Sequence, residues 1–137
     1  MESSILTLLI FVPVAGAILM LPFAMLYGKE NAHYYNEQLK DVNGVTLLEN
    51  KGGHDSAYWI YTIKVKRQDD FMAKMKEKGI MVSRVHERND KHTCVQEFKC
   101  ALPNLDKVVK EMICIPVGWW VTKEQREYIT ESIKEGW

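Results

Sequence analysis

The sequence has no net charge and lacks the motifs of the commonest catalytic and metal sites. Lysine plus arginine and aspartate plus glutamate each number 18, so no overall positive field attracts nucleic acid, and we expect no nucleic-acid partner. The three cysteines, an odd number, fit a reducing compartment better than a disulfide framework and lack the paired short spacings of structural zinc. There is no G-x-S-x-G nucleophile elbow and no glycine-rich phosphate loop. We therefore expect no bound metal and no serine nucleophile.

Charge is also missing from the first part of the chain. The run from Ile5 to Tyr27 contains no charged residue. As a helix it would extend roughly 34 Å, enough to cross a hydrocarbon core of about 30 Å. Lys29 and Lys40 follow the run and no lysine or arginine precedes it, which favours a cytoplasmic remainder. We predict a hydrophobic segment over residues 1–28 containing a transmembrane helix. A buried core helix and a cleaved signal peptide are the alternatives, and without the anchor we expect a cytoplasmic protein.

After Gly28 the sequence alternates between helical and extended patterns. Residues 57–65 predict a strand, because Trp59, Tyr61, Ile63 and Val65 give it one apolar face and Thr62 and Lys64 lie on the other. The other predicted elements are a helix carrying Ala32, Tyr35 and Leu39, strands at 45–48, 80–85 and 112–115, a helix capped by Asp69 or Asp70, a short helix at 105–109, and a last helix with Thr122 and Gln125 as its capping box. This order predicts an α+β domain over residues 29–137, a two-layer sandwich of helices on a small sheet.

The densest polar stretch extends from Ser83 to Thr93 and follows a predicted strand. Arg84 and Arg88 have the planar fork that pairs with phosphate or carboxylate groups. His86 and His92 are able to donate to sugar hydroxyls or to exchange protons near neutral pH. The alternative interpretation is an exposed, solvated loop without a ligand.

Residues 29–137 resemble the C-terminal small domain of the DegT/DnrJ/StrS family of PLP-dependent nucleotide-sugar aminotransferases, and in particular its perosamine-synthetase-like members. The resemblance rests on six ordered segments: 31–39 (NAHYYNEQL), 44–48 (GVTLL), 56–62 (SAYWIYT), 79–86 (GIMVSRVH), 102–106 (LPNLD) and 114–120 (CIPVGWW). It implies part of a fold-type-I homodimer that moves an amino group from glutamate to a nucleotide-linked keto-sugar. It also implies substrate contact by His86 and His92. Arg88 and Asn89, in the same loop, are predicted as substrate-binding residues from their chemistry alone.

The sequence departs from that family because it has no counterpart of the large domain, which carries the Schiff-base lysine. The family's Ser-x-x-Lys motif is absent: Ala-Tyr-Trp follows Ser56, and Ile-Lys-Glu follows Ser132. PLP catalysis requires that lysine. We therefore predict a truncated fragment with no catalytic residue, no covalently held PLP and no activity alone, which associates with itself or with the missing large domain. The alternatives are a membrane-anchored module that binds a sugar nucleotide, and a membrane subunit whose function lies in residues 5–27.

Overall fold

The computed structural model describes residues 16, 20, 25–52, 54, 56–85 and 87–137. Within them, short helices and strands alternate along the chain. The elements are α1 (residues 25–39), β1 (Val45–Leu47), β2 (Tyr61–Val65), α2 (Gln68–Glu77), two 3₁₀ turns (Asn89–Lys91 and Thr93–Phe98), α3 (Pro103–Val109), β3 (Met112–Ile115) and α4 (Lys123–Lys134). The predicted α+β class is confirmed.

The three described strands form one antiparallel sheet in the order β1-β2-β3. Val45 lies opposite Val65, and Tyr61 lies opposite Ile115. Side chains alternate between the two faces of a strand, and every second residue of β2, beginning with Tyr61, is buried. One face of the sheet therefore packs against the hydrophobic core, as the alternating pattern predicts.

The helices cover that face with their apolar sides. A single cluster of buried side chains joins the sheet to α1, α2 and α4. Burial of this kind is the main source of stability for a domain of this size. The helical members of the cluster are Ala32, Tyr35 and Leu39 on α1, Phe71 and Met75 on α2, and Ile129 and Ile133 on α4.

A buried amide fixes the start of the domain. The side chain of Asn31 donates from Nδ2 to the carbonyl oxygens of Val117 at 3.3 Å and Val121 at 3.2 Å. Its Oδ1 accepts from Nη1 of Arg126 at 3.1 Å. Because buried polar groups need partners, this residue holds α1, the 117–121 turn and α4 in one arrangement.

Two predicted strands are wrong in extent. The strand predicted at 57–65 begins only at Tyr61, because Tyr58 has a left-handed backbone with φ +48° that interrupts the extended chain. Trp59 consequently leaves the predicted apolar face and is 83% exposed. Residues 80–85 contribute a single bridge, Ser83 to Cys114, instead of a strand.

The helix ends are partly as predicted. The capping box of α4 is confirmed, since Thr122 Oγ1 accepts from the Gln125 amide at 3.3 Å and Gln125 Oε1 accepts from the Thr122 amide at 3.0 Å. The predicted cap of α2 is wrong, because Arg67 occupies that position with a left-handed backbone. Asp69 and Asp70 lie inside the first turn of α2, where the helix dipole favours negative charge.

Most of the predicted membrane segment lies outside the described residues. No helix formed by the described part of the chain is both long and apolar enough to span a bilayer. The helix α1 continues through the predicted boundary between residues 28 and 29. Gly28 is buried there, and a Cβ on it would lie 3.6 Å from the Tyr58 carbonyl oxygen.

Candidate functional site

The candidate site lies on a long excursion from the sheet, residues 87–111, which we call the arm. The two 3₁₀ turns and α3 form most of the arm, and none of these three elements has a buried residue. At its base the Ser83 amide donates to the Cys114 carbonyl at 3.1 Å, and the Cys114 amide returns a bond of 2.8 Å. Gln68 on α2 donates to the Val109 carbonyl at 3.2 Å. These bonds fix where the arm leaves and rejoins the domain.

Arg88 is paired with two carboxylates of the arm. Its Nε donates to Asp90 Oδ1 at 2.8 Å, and its Nη2 donates to Asp90 Oδ2 at 2.5 Å. A third bond joins Nη1 to Oδ1 of Asp106 on α3. The hydrogen bonds from Arg88 hold the pKa of Asp90 below its usual range, and the bonds to Asp90 and Asp106 raise the pKa of Arg88. Both members of the Arg88–Asp90 pair therefore remain charged at neutral pH.

The other predicted substrate-binding residues are Asn89, His92 and His86. Asn89 and His92 are exposed, and among the described residues their side chains have no hydrogen-bond partner. His92 stabilises the second 3₁₀ turn through its carbonyl, which accepts from the Val95 amide at 3.2 Å. His86 lies outside the described residues. Arg88 and Asn89 are neighbours in the structure as in the sequence, but only Arg88 lines the cleft described next.

A cleft of about 650 Å³ is lined by the start of α2 and by the first and last residues of the arm. Asp69 pairs with Arg84, and Asp70 pairs with Arg67 at 3.2 Å. Among the described residues Lys91 has no ion pair. The same holds for Lys110, which follows α3 and also lines the cleft. Basic side chains outnumber acidic ones among the residues that line the cleft. The basic ones are Arg67, Arg84, Arg88, Lys91 and Lys110, and the acidic ones are Asp69, Asp70 and Glu87.

The cleft is chemically suited to an anion, because unpaired ammonium groups attract negative charge from solution. The sequence pattern predicts Arg84 and Arg88 as anion-binding residues, but it does not identify Lys91 or Lys110. Lys91 belongs to the polar stretch, whereas Lys110 follows α3 and only the fold brings it to the same space. No local sequence signal identifies Lys110.

The lysines do not fit a covalent PLP site. Every lysine of the chain lies within the described residues, and none is buried. A Schiff-base lysine needs a pKa lowered by burial or by positive neighbours, so that it is neutral when it reacts. Lys78 shows the opposite, because its bond to Glu135 Oε2 at 2.5 Å raises its pKa.

The described residues also contain no cluster of cysteines or of metal ligands. Cys114 is buried, but Cys94 and Cys100 are exposed. Over the part of the chain that the structure describes, no three histidine, cysteine or acidic side chains are grouped as a metal site would require.

Comparison with known proteins assigns this fold to one family. The model of the DegT/DnrJ/EryC1/StrS aminotransferase family matches residues 21–134. Among curated proteins, the erythromycin biosynthesis sensory transduction protein EryC1 of Saccharopolyspora erythraea is 23% identical over 110 residues. That alignment covers 77% of this chain and 30% of EryC1.

Two solved structures have a higher sequence identity to this chain. The sugar aminotransferase CalS13 from Micromonospora echinospora superposes with a TM-score of 0.80 at 38% identity. AtS13 from Actinomadura melliaura gives a TM-score of 0.80 at 37% identity. Both comparisons cover 83% of this chain but only 31% of the longer protein. The chain thus spans less than a third of the length of these relatives.

Proposed function

Because the chain belongs to the DegT/DnrJ/EryC1/StrS aminotransferase family, whose members depend on PLP, we propose that it is the substrate-side domain of a sugar aminotransferase. In this proposal the cleft beside the arm receives the diphosphate of a nucleotide-linked sugar. Asn89 and His92 contact the sugar from the arm, together with His86. The perosamine-synthetase-like subgroup remains a prediction from the six sequence segments.

The observation that carries the proposal is the pair of lysines without acidic partners. Lys91 lies near the start of the arm and Lys110 near its end, and because both line the cleft, a ligand there would meet two positive charges. A diphosphate group carries negative charge along its length and offers several acceptor oxygens. Charge-assisted hydrogen bonds to such oxygens are stronger than neutral ones.

The paired arginines of the cleft have a secondary part in this proposal. Arg84 bonds to Asp69, and Arg67 bonds to Asp70, in pairs that are largely exposed. Exposed pairs contribute little free energy, so a phosphate is able to compete for these guanidinium groups at small cost. Arg67 and Arg84 would then add donors after the lysines have attracted the ligand.

Amino-group transfer is not assigned to this chain alone. In the family, PLP carries the amino group between donor and keto-sugar, and a lysine attaches the cofactor to the protein. The exposed or half-buried lysines described above do not meet that requirement. In this proposal residues 25–137 bind and orient the sugar nucleotide, and the cofactor is attached outside them.

Titration calorimetry tests the binding proposal with UDP-glucose, dTDP-glucose and inorganic pyrophosphate. We expect one of the two sugar nucleotides to bind more tightly than pyrophosphate. Lys91→Ala and Lys110→Ala should each weaken that binding about tenfold, the loss of one charge-assisted bond.

Lys123→Ala is the matched control, because Lys123 lies on α4 and its nearest acidic partner, Glu127, is 3.9 Å away. We expect this variant to bind as the unmodified chain does. No binding of either sugar nucleotide, or equal affinity in the three lysine variants, would contradict the proposed site.

A further inference from the structure

The arm lacks the apolar anchoring that normally determines the conformation of a long connection. Phe98 is 73% exposed, and Leu102, Leu105 and Val108 are each more than a third exposed. Among the described residues, every side-chain hydrogen bond of residues 88–106 joins two members of that segment. Something other than the hydrophobic core must therefore select the shape of the arm.

Arg88 is the residue that connects the separate parts of the arm. It lies at the start, Asp90 lies in the first 3₁₀ turn, and Asp106 lies in the returning helix α3. Its bond to Asp106 closes a loop across 18 positions of sequence. Side-chain exposure is only 17% for Arg88 and 16% for Asp90, which makes this the least exposed ion pair of the arm.

The electrostatics of this cluster disfavour substrate contact by Arg88. One guanidinium faces two carboxylates, so the local charge is negative. Asp90 and Asp106 therefore occupy the donors that a phosphate would need from this arginine. The fork of Arg88 already donates to three carboxylate oxygens from three different nitrogens.

We propose that Arg88 is a positioning residue, which fixes the arm in the conformation that brings Lys91, the neighbour of Asp90, to the cleft. The part that concerns ligand placement rests on the proposed function, whereas the part that concerns the arm's conformation does not. Lysine cannot replace the arginine, because a single ammonium group lacks the planar fork that bonds both oxygens of Asp90 and still reaches Asp106. Asp106 accepts the bond from Arg88 Nη1 and so connects α3 to the start of the arm.

Limited proteolysis with trypsin tests the conformational part directly. Lys91 and Lys99 both lie between the two ends of the Arg88–Asp106 connection. We expect cleavage after these lysines to be about tenfold faster in Asp106→Asn, and Asp106→Glu should restore slow cleavage because it keeps a carboxylate. Glu131→Gln is the matched control, because it also removes a paired carboxylate, but on α4. There Glu131 Oε1 lies 3.1 Å from Lys134 Nζ.

A spectroscopic signal separates positioning from a general loss of stability. The Nε–H of Arg88 should give a slowly exchanging ¹⁵N-correlated resonance in the unmodified chain, and Asp90→Asn should remove it while Asp106→Glu retains it. Equal cleavage rates in Asp106→Asn and the unmodified chain would overturn the proposal. So would faster cleavage of Asp106→Asn throughout the domain as well as in the arm.

Calorimetry on the same variants distinguishes this inference from the proposed function. If no sugar nucleotide binds the unmodified chain, the proposed function fails, but the cleavage rates still decide the conformational role of Arg88. If Arg88→Lys abolishes binding while its arm is cleaved as slowly as before, Arg88 contacts the ligand directly and the positioning role is wrong. We expect Arg88→Lys to weaken binding and speed cleavage together.

Discussion

At the scale of single residues, two buried tyrosines make stability sensitive to alkaline pH. Tyr35 is fully buried, and its hydroxyl donates to the Pro116 carbonyl at 2.9 Å. Tyr61 is 4% exposed, and its hydroxyl donates to Asn36 Oδ1 at 2.6 Å. Burial raises the pKa of both phenols above the ordinary value of 10, although Arg126 partly offsets the increase at Tyr35. Folding therefore favours the neutral form of each ring.

The sign of the resulting pH dependence follows from proton linkage. Below pH 10 both the folded and the unfolded chain retain these protons, and the stabilising contribution is complete. Above pH 10 the unfolded chain releases them first, so the free energy of unfolding falls by about 1.4 kcal/mol per pH unit for each tyrosine. The contribution is lost as pH rises toward the folded-state pKa.

Denaturant unfolding between pH 9.5 and 11.5 checks this prediction. We expect Tyr61→Phe to be less stable than the unmodified chain at neutral pH, because Asn36 loses its donor, but to decline less steeply at high pH. Tyr128→Phe, on the exposed face of α4, should decline as the unmodified chain does. An identical slope in Tyr61→Phe and the unmodified chain would show that Tyr61 does not control the alkaline decline.

At the scale of secondary-structure elements, the last helix depends on a local capping motif. The Thr122 and Gln125 side chains each satisfy a backbone amide that the first turn of α4 leaves without a helical partner. α4 also supplies Ile129 and Ile133 to the core, so fraying at its start would loosen the packing against the sheet.

Removal of the cap should have a measurable cost. We expect Thr122→Ala to lower the free energy of unfolding by about 1 kcal/mol, because the N3 amide loses its acceptor. Thr122→Ser keeps the hydroxyl and should change the stability by less than half as much. Thermal and urea unfolding of the three proteins give the comparison, and equal loss in both variants would indicate that the methyl group of Thr122, and not its oxygen, stabilises the helix.

The elements also show which features the sequence was able to predict. The capping box of α4 and the strand β3 were predictable because their signals are contiguous in sequence. The start of β2 was not, because a tyrosine with a left-handed backbone looks in sequence like one more strand residue. Residues 80–85 have the composition of a strand, but a strand requires a partner, and among the described residues only Ser83 pairs.

At the scale of the whole molecule, the family and the cleft depend on residues distant in sequence. Ordered segments along residues 29–137 were sufficient to indicate the family, which the match to residues 21–134 confirms. The cleft was not predictable, because Arg67, Lys91 and Lys110 come together only through the path of the arm. Large apolar side chains such as Trp59, Met81 and Trp120 are exposed, which is typical of interaction surfaces, and association with a second copy or with a large domain remains a proposal.

The proposed function requires that this chain bind a sugar nucleotide without holding PLP covalently. Incubation with one equivalent of PLP, borohydride reduction and mass spectrometry of the peptides test that claim at every lysine. We predict low, distributed modification of exposed lysines, which falls only at Lys91 and Lys110 when the sugar nucleotide that binds the cleft is added. Stoichiometric modification of one lysine would contradict the account, because it would place a complete cofactor attachment site within this chain.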